Sequence, residues 1–398
     1  MGEHARDGTA VVDGLRGLAI LLVFGYHTWL FSWYTPPPPF DVFARTGYFG
    51  VELFFLISGF CLFYPYARHR LEAKRDQTLG AFVYRRFIKI VPSYLVALAV
   101  TFAIAFPTIQ RSVALTSLGQ HVFFVENFFN DPVGSSNSVL WSLGIEVQFY
   151  LIFPLLVASF AKRPLVAALV LAAGALGYRY YFGACCLTNE LVMRQLPAFL
   201  DLFAFGMLAA YAFVWLRRRW SNIDGVAAAR VSVFCTAAAI AFALISFELL
   251  AAANGVQYTD EGRERFNLFG RTALASTGFA LVVASCFAER WWRRLLANPL
   301  LVFLSVISYN LYLWHTLVEL WLVHHHLPPS SIKISHDDQV WRAWFIGISL
   351  VACIAISTAI TYFLERPLLQ TVRPHPFAFE WKRLGRKLTR EPRAEAEF

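Results

Sequence analysis

Charged residues are scarce in this chain of 398 residues. They make up 15% of the sequence, against about a quarter in an ordinary soluble domain. Hydrophobic residues make up 58%, and the runs 231–253, 272–288 and 345–363 are long and nearly free of charge. Runs of that length can cross a bilayer as helices. The scarcity of charge therefore argues against a soluble globular protein and favours several membrane-spanning helices.

Other features that would indicate a different class of protein are also absent from the sequence. The six cysteines lie in or beside apolar runs without the spacing of a metal site, so we expect small buried side chains and no metal. The net charge of +9 forms no basic stripe on a soluble domain, so we expect no nucleic-acid partner. No cleavable signal pattern precedes the first apolar run. No internal repeat is visible, which disfavours a transporter built from inverted repeats.

The hydrophobic pattern predicts an all-α fold, a polytopic integral membrane helical bundle of about ten transmembrane helices. The predicted spans are about 16–34, 47–65, 87–107, 139–160, 164–182, 197–216, 231–252, 269–289, 299–323 and 341–364. With the N-terminus inside, 26 of the 35 Lys and Arg residues fall in inner segments, which predicts that both termini are cytoplasmic. We predict a transmembrane domain over 1–370 and a cytoplasmic amphipathic tail over 371–398 that lies on the bilayer surface.

The first predicted span carries two ionisable side chains. Its start reads DGLRGLAILLVFGYH over residues 13–27 and contains Arg16 and His27. Their separation of 11 residues is close to three helical turns, so both side chains share one face, roughly 16 Å apart along the axis. Ionisable groups inside a bilayer are costly and usually mark a functional site.

Further ionisable residues sort by depth in the predicted topology. At one outer-to-middle depth we predict His27, Glu52, Glu146 and His315, and at the inner side Arg85, Arg86, Lys89, Glu365 and Arg366. A basic inner cluster suits phosphates, and a deeper histidine with carboxylate neighbours suits general-base catalysis. An acyl thioester of coenzyme A fits both ends. The positive-inside rule alone also predicts the basic cluster, and a lone histidine can simply join two helices by a hydrogen bond.

Seven segments, each in or at the edge of a predicted span, occur together in one order. They read DGLRGLAILLVFGYH, GYFGVELFFLISGF, RRFIKIVPSY, LWSLGIEVQFYLIFPLL, RQLPAFLDLFAFGML, SYNLYLWH and FLERPL. On these segments the chain resembles the acyltransferase 3 family, membrane O-acyltransferases that modify bacterial surface glycans, lipopolysaccharide O-antigen and some antibiotics. The resemblance covers most of the chain.

The resemblance implies roles for individual residues. It implies acyl transfer by Arg16 and His27 and acyl-CoA contacts for Arg85, Arg86 and Lys89, and it places Glu52 and Glu146 at acidic positions of the family. We predict that Glu52 and Glu146 are catalytic as well, and that substrate-binding or supporting roles fall to Ser58, Trp141, His315, Glu365 and Arg366. Lys89 stands where arginine is common, and Glu52 stands where aspartate is common. Ser58, beside Gly59, is also the kind of small residue at which membrane helices pack closely.

The resemblance also implies a reaction. The donor would be acetyl-CoA or another acyl-CoA, and the acceptor a hydroxyl of a cell-surface glycan, a lipid-linked glycan or another glycolipid. The enzyme would lie in the bacterial cytoplasmic (inner) membrane. His27 would either deprotonate the acceptor hydroxyl or carry the acyl group transiently, with Glu52 or Glu146 orienting its imidazole and Arg16 holding the donor. We expect no esterase-like C-terminal domain.

Two alternatives remain open from the sequence. A transporter or flippase of an anionic lipid-linked glycan would use the same basic inner face as an entry site, although the spans show no matching Gly- or Pro-broken pair. A membrane scaffold without catalytic activity would leave Arg16→Ala and His27→Ala both silent. Incorporation of labelled acetyl groups into a glycan would favour the enzyme over both.

Overall fold

The structure is a computed structural model that describes residues 9–72, 79–105, 109–130, 137–186, 190–256, 259, 262, 266–330 and 338–370. Every regular element within these ranges is helical. The α-helices are α1 Ala10–Ser32, α2 Asp41–Thr46, α3 Gly50–Glu72, α4 Leu79–Ala105, α5 Arg111–Val122, α6 Trp141–Lys162, α7 Pro164–Cys186, α8 Glu190–Met193, α9 Leu200–Arg219, α10 Gly225–Val256, α11 Arg271–Phe287, α12 Arg290–Leu296, α13 Pro299–His324, α14 Gln339–Ile360 and α15 Arg366–Gln370. Short 3₁₀ turns cover Gly47–Phe49, Glu126–Phe128 and Leu196–Phe199, and π turns cover Phe266–Gly270 and Thr361–Glu365.

Ten helical segments of the described chain are long and apolar enough to cross a membrane, which confirms the predicted fold. They are α1, α2 with α3, α4, α6, α7, α9 with the 3₁₀ turn before it, α10, α11 with the π turn before it, α13, and α14 with α15. Consecutive spans run in opposite directions. We call the two ends of the bundle the Ala10 face, where α1 begins, and the Ser32 face, where α1 ends.

Four of the helices form a tightly packed centre, α1 against α13 and α3 against α9. A Cβ placed on Gly17 would lie 2.1 Å from the carbonyl oxygen of Leu301 in α13. A Cβ on Gly59 would lie 2.2 Å from the carbonyl oxygen of Phe203 in α9. Only glycine permits such an approach of two backbones, as at small-residue contacts in membranes generally. The prediction of close packing beside Ser58 is therefore confirmed.

The helix boundaries differ from the predicted ones, and the difference moves several polar residues. Helix α1 begins at Ala10 and not at 16, so Arg16 lies nearly two turns inside the helix. Helix α4 begins at Leu79 and not at 87, so the basic motif lies in its second and third turns. The predicted spans begin after the charged residues Asp13, Arg85 and Arg86, whereas the helices continue through them. The predicted tail over 371–398 lies outside the described residues.

Candidate active site

A cavity lies between α1, α3, α4, α6 and α13. Its walls are Arg16, Val51, Phe54, Phe55, Ser58, Arg86, Lys89, Ile90, Ser142, Leu143, Glu146, Tyr150, Ser305, Ser308, Tyr309 and Tyr312. Basic side chains come from Arg16 in α1 and from Arg86 and Lys89 in the half of α4 nearer the Ala10 face. Apolar side chains come from the starts of α3 and α6, which lie nearer the Ser32 face. The cavity is thus cationic at one end and apolar at the other.

The basic side chains in the cavity differ in what they contact. Within the part of the chain that the structure describes, Arg16 and Arg86 form neither a side-chain hydrogen bond nor an ion pair. The Arg86 guanidinium lies 5.6 Å from the ring centre of Tyr150 and 5.9 Å from that of Phe82. Lys89 pairs with Glu365. Two guanidinium groups therefore remain available to an anionic ligand.

Besides its ion pair with Lys89, Glu365 accepts a hydrogen bond. It is 3% exposed, and the Asn310 side chain donates a hydrogen bond of 3.0 Å to its Oε2. Arg366, the next residue, lies with its guanidinium 4.0 Å from the ring centre of Tyr362. Arg85 is exposed and is not among the residues that line the cavity. Of the predicted basic contacts, Arg86 and Lys89 therefore reach the cavity.

Glu146 is the carboxylate that faces these cations inside the cavity. Ser58 Oγ donates a hydrogen bond of 2.9 Å to Glu146 Oε1, and the Tyr150 hydroxyl donates to the same oxygen. The side chain is thus held by α3 and by its own helix, α6. Trp141, five residues earlier in α6, packs outside the cavity, with its ring centre 5.8 Å from that of Phe199.

His27 lies beside a second histidine, nearer the Ser32 face. His315 Nε2 is 3.1 Å from His27 Nδ1, and His27 Nδ1 is 3.0 Å from the carbonyl oxygen of Val23. His315 Nδ1 lies 3.0 Å from the carbonyl oxygen of Leu311 and 2.9 Å from that of Tyr312. His315 is 0% exposed, whereas His27 is half-buried. We call these two residues the histidine pair.

One acidic neighbour of the histidine pair is absent from the residues predicted from the sequence. Glu319 is 0% exposed, and Thr28 Oγ1 donates a hydrogen bond of 2.5 Å to its Oε1. Glu319 lies four residues after His315 in α13, a spacing that puts both on one helix face. The sequence indicates the Thr28–Glu319 contact only through this spacing and through the position of Thr28 directly after His27.

The histidine pair and the cavity are neighbours but not one space. Among the described residues, neither His27 nor His315 lines the cavity. Tyr312 and Ser142 lie in the cavity wall and join their hydroxyls at 2.6 Å. The Tyr312 ring also lies with its centre 5.9 Å from that of His315. Tyr312 therefore contacts both the cavity and the histidine pair.

Glu52 lies in neither place. Its Oε1 is 3.0 Å from Arg271 Nε, and Arg271 lies 4.6 Å from the ring centre of Phe199. A second pair lies nearby, where Arg179 Nη2 is 2.7 Å from Asp201 Oδ2 and both side chains are fully buried. We call the two arginines and two carboxylates of these pairs the ion-pair cluster. The structure thus separates the residues predicted at one depth, because Glu52 and Glu146 have partners other than His27.

A helical bundle of ten apolar spans within the described residues, with a cationic cavity next to a histidine pair, is the architecture of a multi-pass membrane protein. The chain belongs to the acyltransferase 3 family, whose profile, described as an acyltransferase domain, matches residues 10–362.

Three curated relatives illustrate the similarity. The chain is 26% identical to the peptidoglycan O-acetyltransferase OatA of Listeria monocytogenes over 92% of this chain and 56% of that protein. It is 25% identical to the putative peptidoglycan O-acetyltransferase YrhL of Bacillus subtilis over 90% and 54%. It is 25% identical to a putative acetyltransferase of Acidianus two-tailed virus over 77% and 82%. The chain thus spans about half the length of the two bacterial relatives, and no solved structure matches it.

Proposed function

We propose that this chain is a membrane O-acyltransferase that moves an acyl group, most simply acetyl, from acyl-CoA to a hydroxyl of a cell-surface glycan or glycolipid. The observation that carries the proposal is the cavity, in which two guanidinium groups, unpaired within the described chain, lead to an apolar end beside the histidine pair. The relative from Listeria is named for acetylation of peptidoglycan, which supports a glycan as the acceptor.

The donor enters from the Ala10 face in this proposal, and that face is cytoplasmic in a bacterial inner membrane. The charge asymmetry of the loops supports this orientation. Arg86 binds the phosphates of coenzyme A and Lys89 assists while it stays paired with Glu365, since guanidinium and ammonium groups complement phosphate oxygens and an ammonium has three N–H donors. The thioester arm extends along the cavity past Arg16. The acyl group comes to lie at the apolar end, against Phe54 and Leu143.

Acyl transfer follows when the Tyr312–Ser142 hydrogen bond opens and the thioester meets the acceptor at His27. The imidazole takes the proton of the acceptor hydroxyl as its oxygen attacks the thioester carbonyl carbon. The carbon–oxygen bond forms, the carbon–sulfur bond breaks, and the thiolate of coenzyme A takes the proton from the imidazolium. In the alternative route the bare His27 nitrogen attacks the thioester carbonyl and the thiolate of coenzyme A leaves; the acceptor hydroxyl then attacks the acyl-imidazole, its proton passes to the thiolate, and the imidazole is released. Both routes conserve the proton and the acyl group.

Glu146 and Arg16 have supporting roles in this reaction. Ser58 and Tyr150 fix the Glu146 carboxylate in the same cavity as the Arg16 guanidinium. Opposite charges in a site of low polarity attract strongly, so Glu146 holds the guanidinium toward the donor while leaving its N–H groups free for a ligand. Its role is to place Arg16, and not to orient His27.

The test uses the full chain in membranes with radiolabelled acetyl-CoA and an isolated envelope glycan fraction. We expect label in the glycan from the native chain and a loss of roughly 100-fold or more in His27→Ala. The matched control is His121→Ala, which removes another buried histidine that bonds to Tyr94 and does not line the cavity. Full labelling by a correctly inserted His27→Ala variant contradicts the proposal. Movement of unlabelled glycan across the membrane without acetylation would instead establish the transporter.

A further inference from the structure

We propose that His315 is a positioning residue, which accepts the Nδ1 proton of His27 and so keeps Nε2 of His27 bare for the reaction. The inference rests on the proposed catalytic role of His27. The geometry also predicts the tautomer of His27 in the resting protein, which can be measured without an activity assay.

The tautomer of His315 is fixed by its own helix. Its Nδ1 lies within hydrogen-bond distance of two carbonyl oxygens, those of Leu311 and Tyr312. A carbonyl oxygen only accepts a hydrogen bond, so Nδ1 must carry the proton. A neutral imidazole has one proton, and Nε2 of His315 is therefore an acceptor.

The tautomer of His27 follows from that of His315. Its Nδ1 is 3.1 Å from the bare Nε2 of His315 and 3.0 Å from the carbonyl oxygen of Val23. Both partners accept, so the single proton of neutral His27 lies on Nδ1 and is shared between them. Nε2 of His27 consequently holds a lone pair. That nitrogen is the one able to take a proton or an acyl group.

Burial keeps this arrangement in place. His315 is 0% exposed, and its ring packs 6.4 Å from the ring of Phe24 and 5.9 Å from that of Tyr312, measured between centres. The ring planes of His27 and His315 meet at 70°, so the edge of one ring faces the other. A catalytic base that is oriented by a third group recurs in enzymes with activated nucleophiles. Here the third group is a neutral imidazole and not a carboxylate.

The charge developed in the reaction would also fall on this contact. When His27 Nε2 takes the acceptor proton, the positive charge spreads to Nδ1–H. That group already faces the lone pair of His315, and a hydrogen bond from a charged donor is roughly twice as strong as one between neutral groups. His315 thus stabilises the protonated form of His27 without taking part in bond making.

The experiment measures the tautomer of His27 first. Nitrogen-15 NMR on the full chain labelled in histidine, with the His27 signals assigned by their loss in His27→Gln, should show Nδ1 protonated and Nε2 bare in the resting protein. A signal from an Nε2–H tautomer of His27 overturns the proposal. This result does not depend on whether His27 is catalytic, so its failure is distinct from failure of the proposed function.

The second arm compares three side chains at position 315. Glutamine places an amide oxygen close to the position of the histidine Nε2, whereas asparagine reaches only the position of Nδ1 and alanine neither. We expect kcat of His315→Gln to stay within about tenfold of native, and kcat of His315→Asn and His315→Ala to fall by roughly 100-fold or more. The KM for acetyl-CoA should not change, because His315 does not line the cavity.

A substitution at another buried histidine serves as the matched control. His121→Gln replaces a histidine that is 1% exposed in the same bundle and should leave kcat unchanged. If His315→Gln binds acetyl-CoA normally but is as slow as His315→Ala, an imidazole itself is required and the positioning role is wrong. Native kcat in His315→Ala is equally incompatible with it.

Discussion

The cavity and the ion-pair cluster are built from the same residue types and behave differently. The ion-pair cluster joins Arg179 to Asp201 and Arg271 to Glu52. In the cavity, two arginines lie near a single carboxylate, and within the described chain neither guanidinium forms an ion pair. Buried charges are tolerated when they are paired. Arginines that have a carboxylate partner join helices, whereas arginines without one can bind an anionic ligand. Pairing, and not charge alone, therefore distinguishes the two groups.

The largest expected effect tests the ion-pair cluster. Arg179→Ala leaves the fully buried Asp201 without its cation, and removing one partner of a buried pair costs about 3–5 kcal/mol. We expect a large fall in thermal stability in detergent and little folded protein in the membrane. Arg179→Ala combined with Asp201→Ala should recover part of the loss. If Arg179→Ala unfolds at the native temperature, the cluster does not join the helices.

The second prediction concerns the cavity, where we expect a substitution to weaken ligand binding and leave stability unchanged. Arg86→Ala removes a guanidinium that forms no ion pair with the described residues, so the folded protein should be as stable as native. The loss of charged hydrogen bonds to a phosphate, about 1.5–3 kcal/mol, should weaken acetyl-CoA binding roughly 10- to 100-fold. Equilibrium binding and thermal unfolding on the same sample measure both. Unchanged binding would remove Arg86 from the donor site.

Glu52 in the ion-pair cluster and Glu146 in the cavity should respond differently to the same substitution. Glu52→Gln should lower the free energy of unfolding by about 1–3 kcal/mol, because Arg271 loses its counter-charge, while the folded fraction stays active. Glu146→Gln should keep stability and lower kcat/KM. Activity normalised to folded protein and unfolding temperature distinguish the two. The opposite pattern would return Glu52 to the catalytic role predicted from the sequence.

The smallest effect concerns a pair at the edge of the bundle. Arg217 pairs with Glu72, and their side chains are 28% and 18% exposed. Partly exposed pairs of this kind contribute about 0–1 kcal/mol, so Arg217→Ala should change thermal stability by no more than a few degrees. Acetyl-CoA binding should not change. A loss as large as that of Arg179→Ala would show that exposure does not govern these pairs.

The ten spans are predictable from the sequence because charge-free runs of bilayer length are rare in soluble domains. The sequence also predicts that Arg16 and His27 share a helix at different depths. It does not predict that Glu52 meets Arg271 or that His27 meets His315, since these contacts join residues hundreds of positions apart. The predicted helix ends differ from the observed ones for a separate reason: the predicted spans begin after Asp13 and after Arg85 and Arg86, whereas α1 and α4 continue through these charges.

The Tyr312–Ser142 contact also bears on whether protons can leak across the membrane through the bundle. The cavity reaches inward from the Ala10 face, and the histidine pair lies toward the Ser32 face. Joined end to end, they would form a polar path along which a file of water could conduct protons. Tyr312 is 6% exposed and Ser142 4% exposed, and their hydroxyls satisfy one another. Because neither hydroxyl needs a water molecule as a partner there, we expect this contact to interrupt a continuous file of water between the two sites.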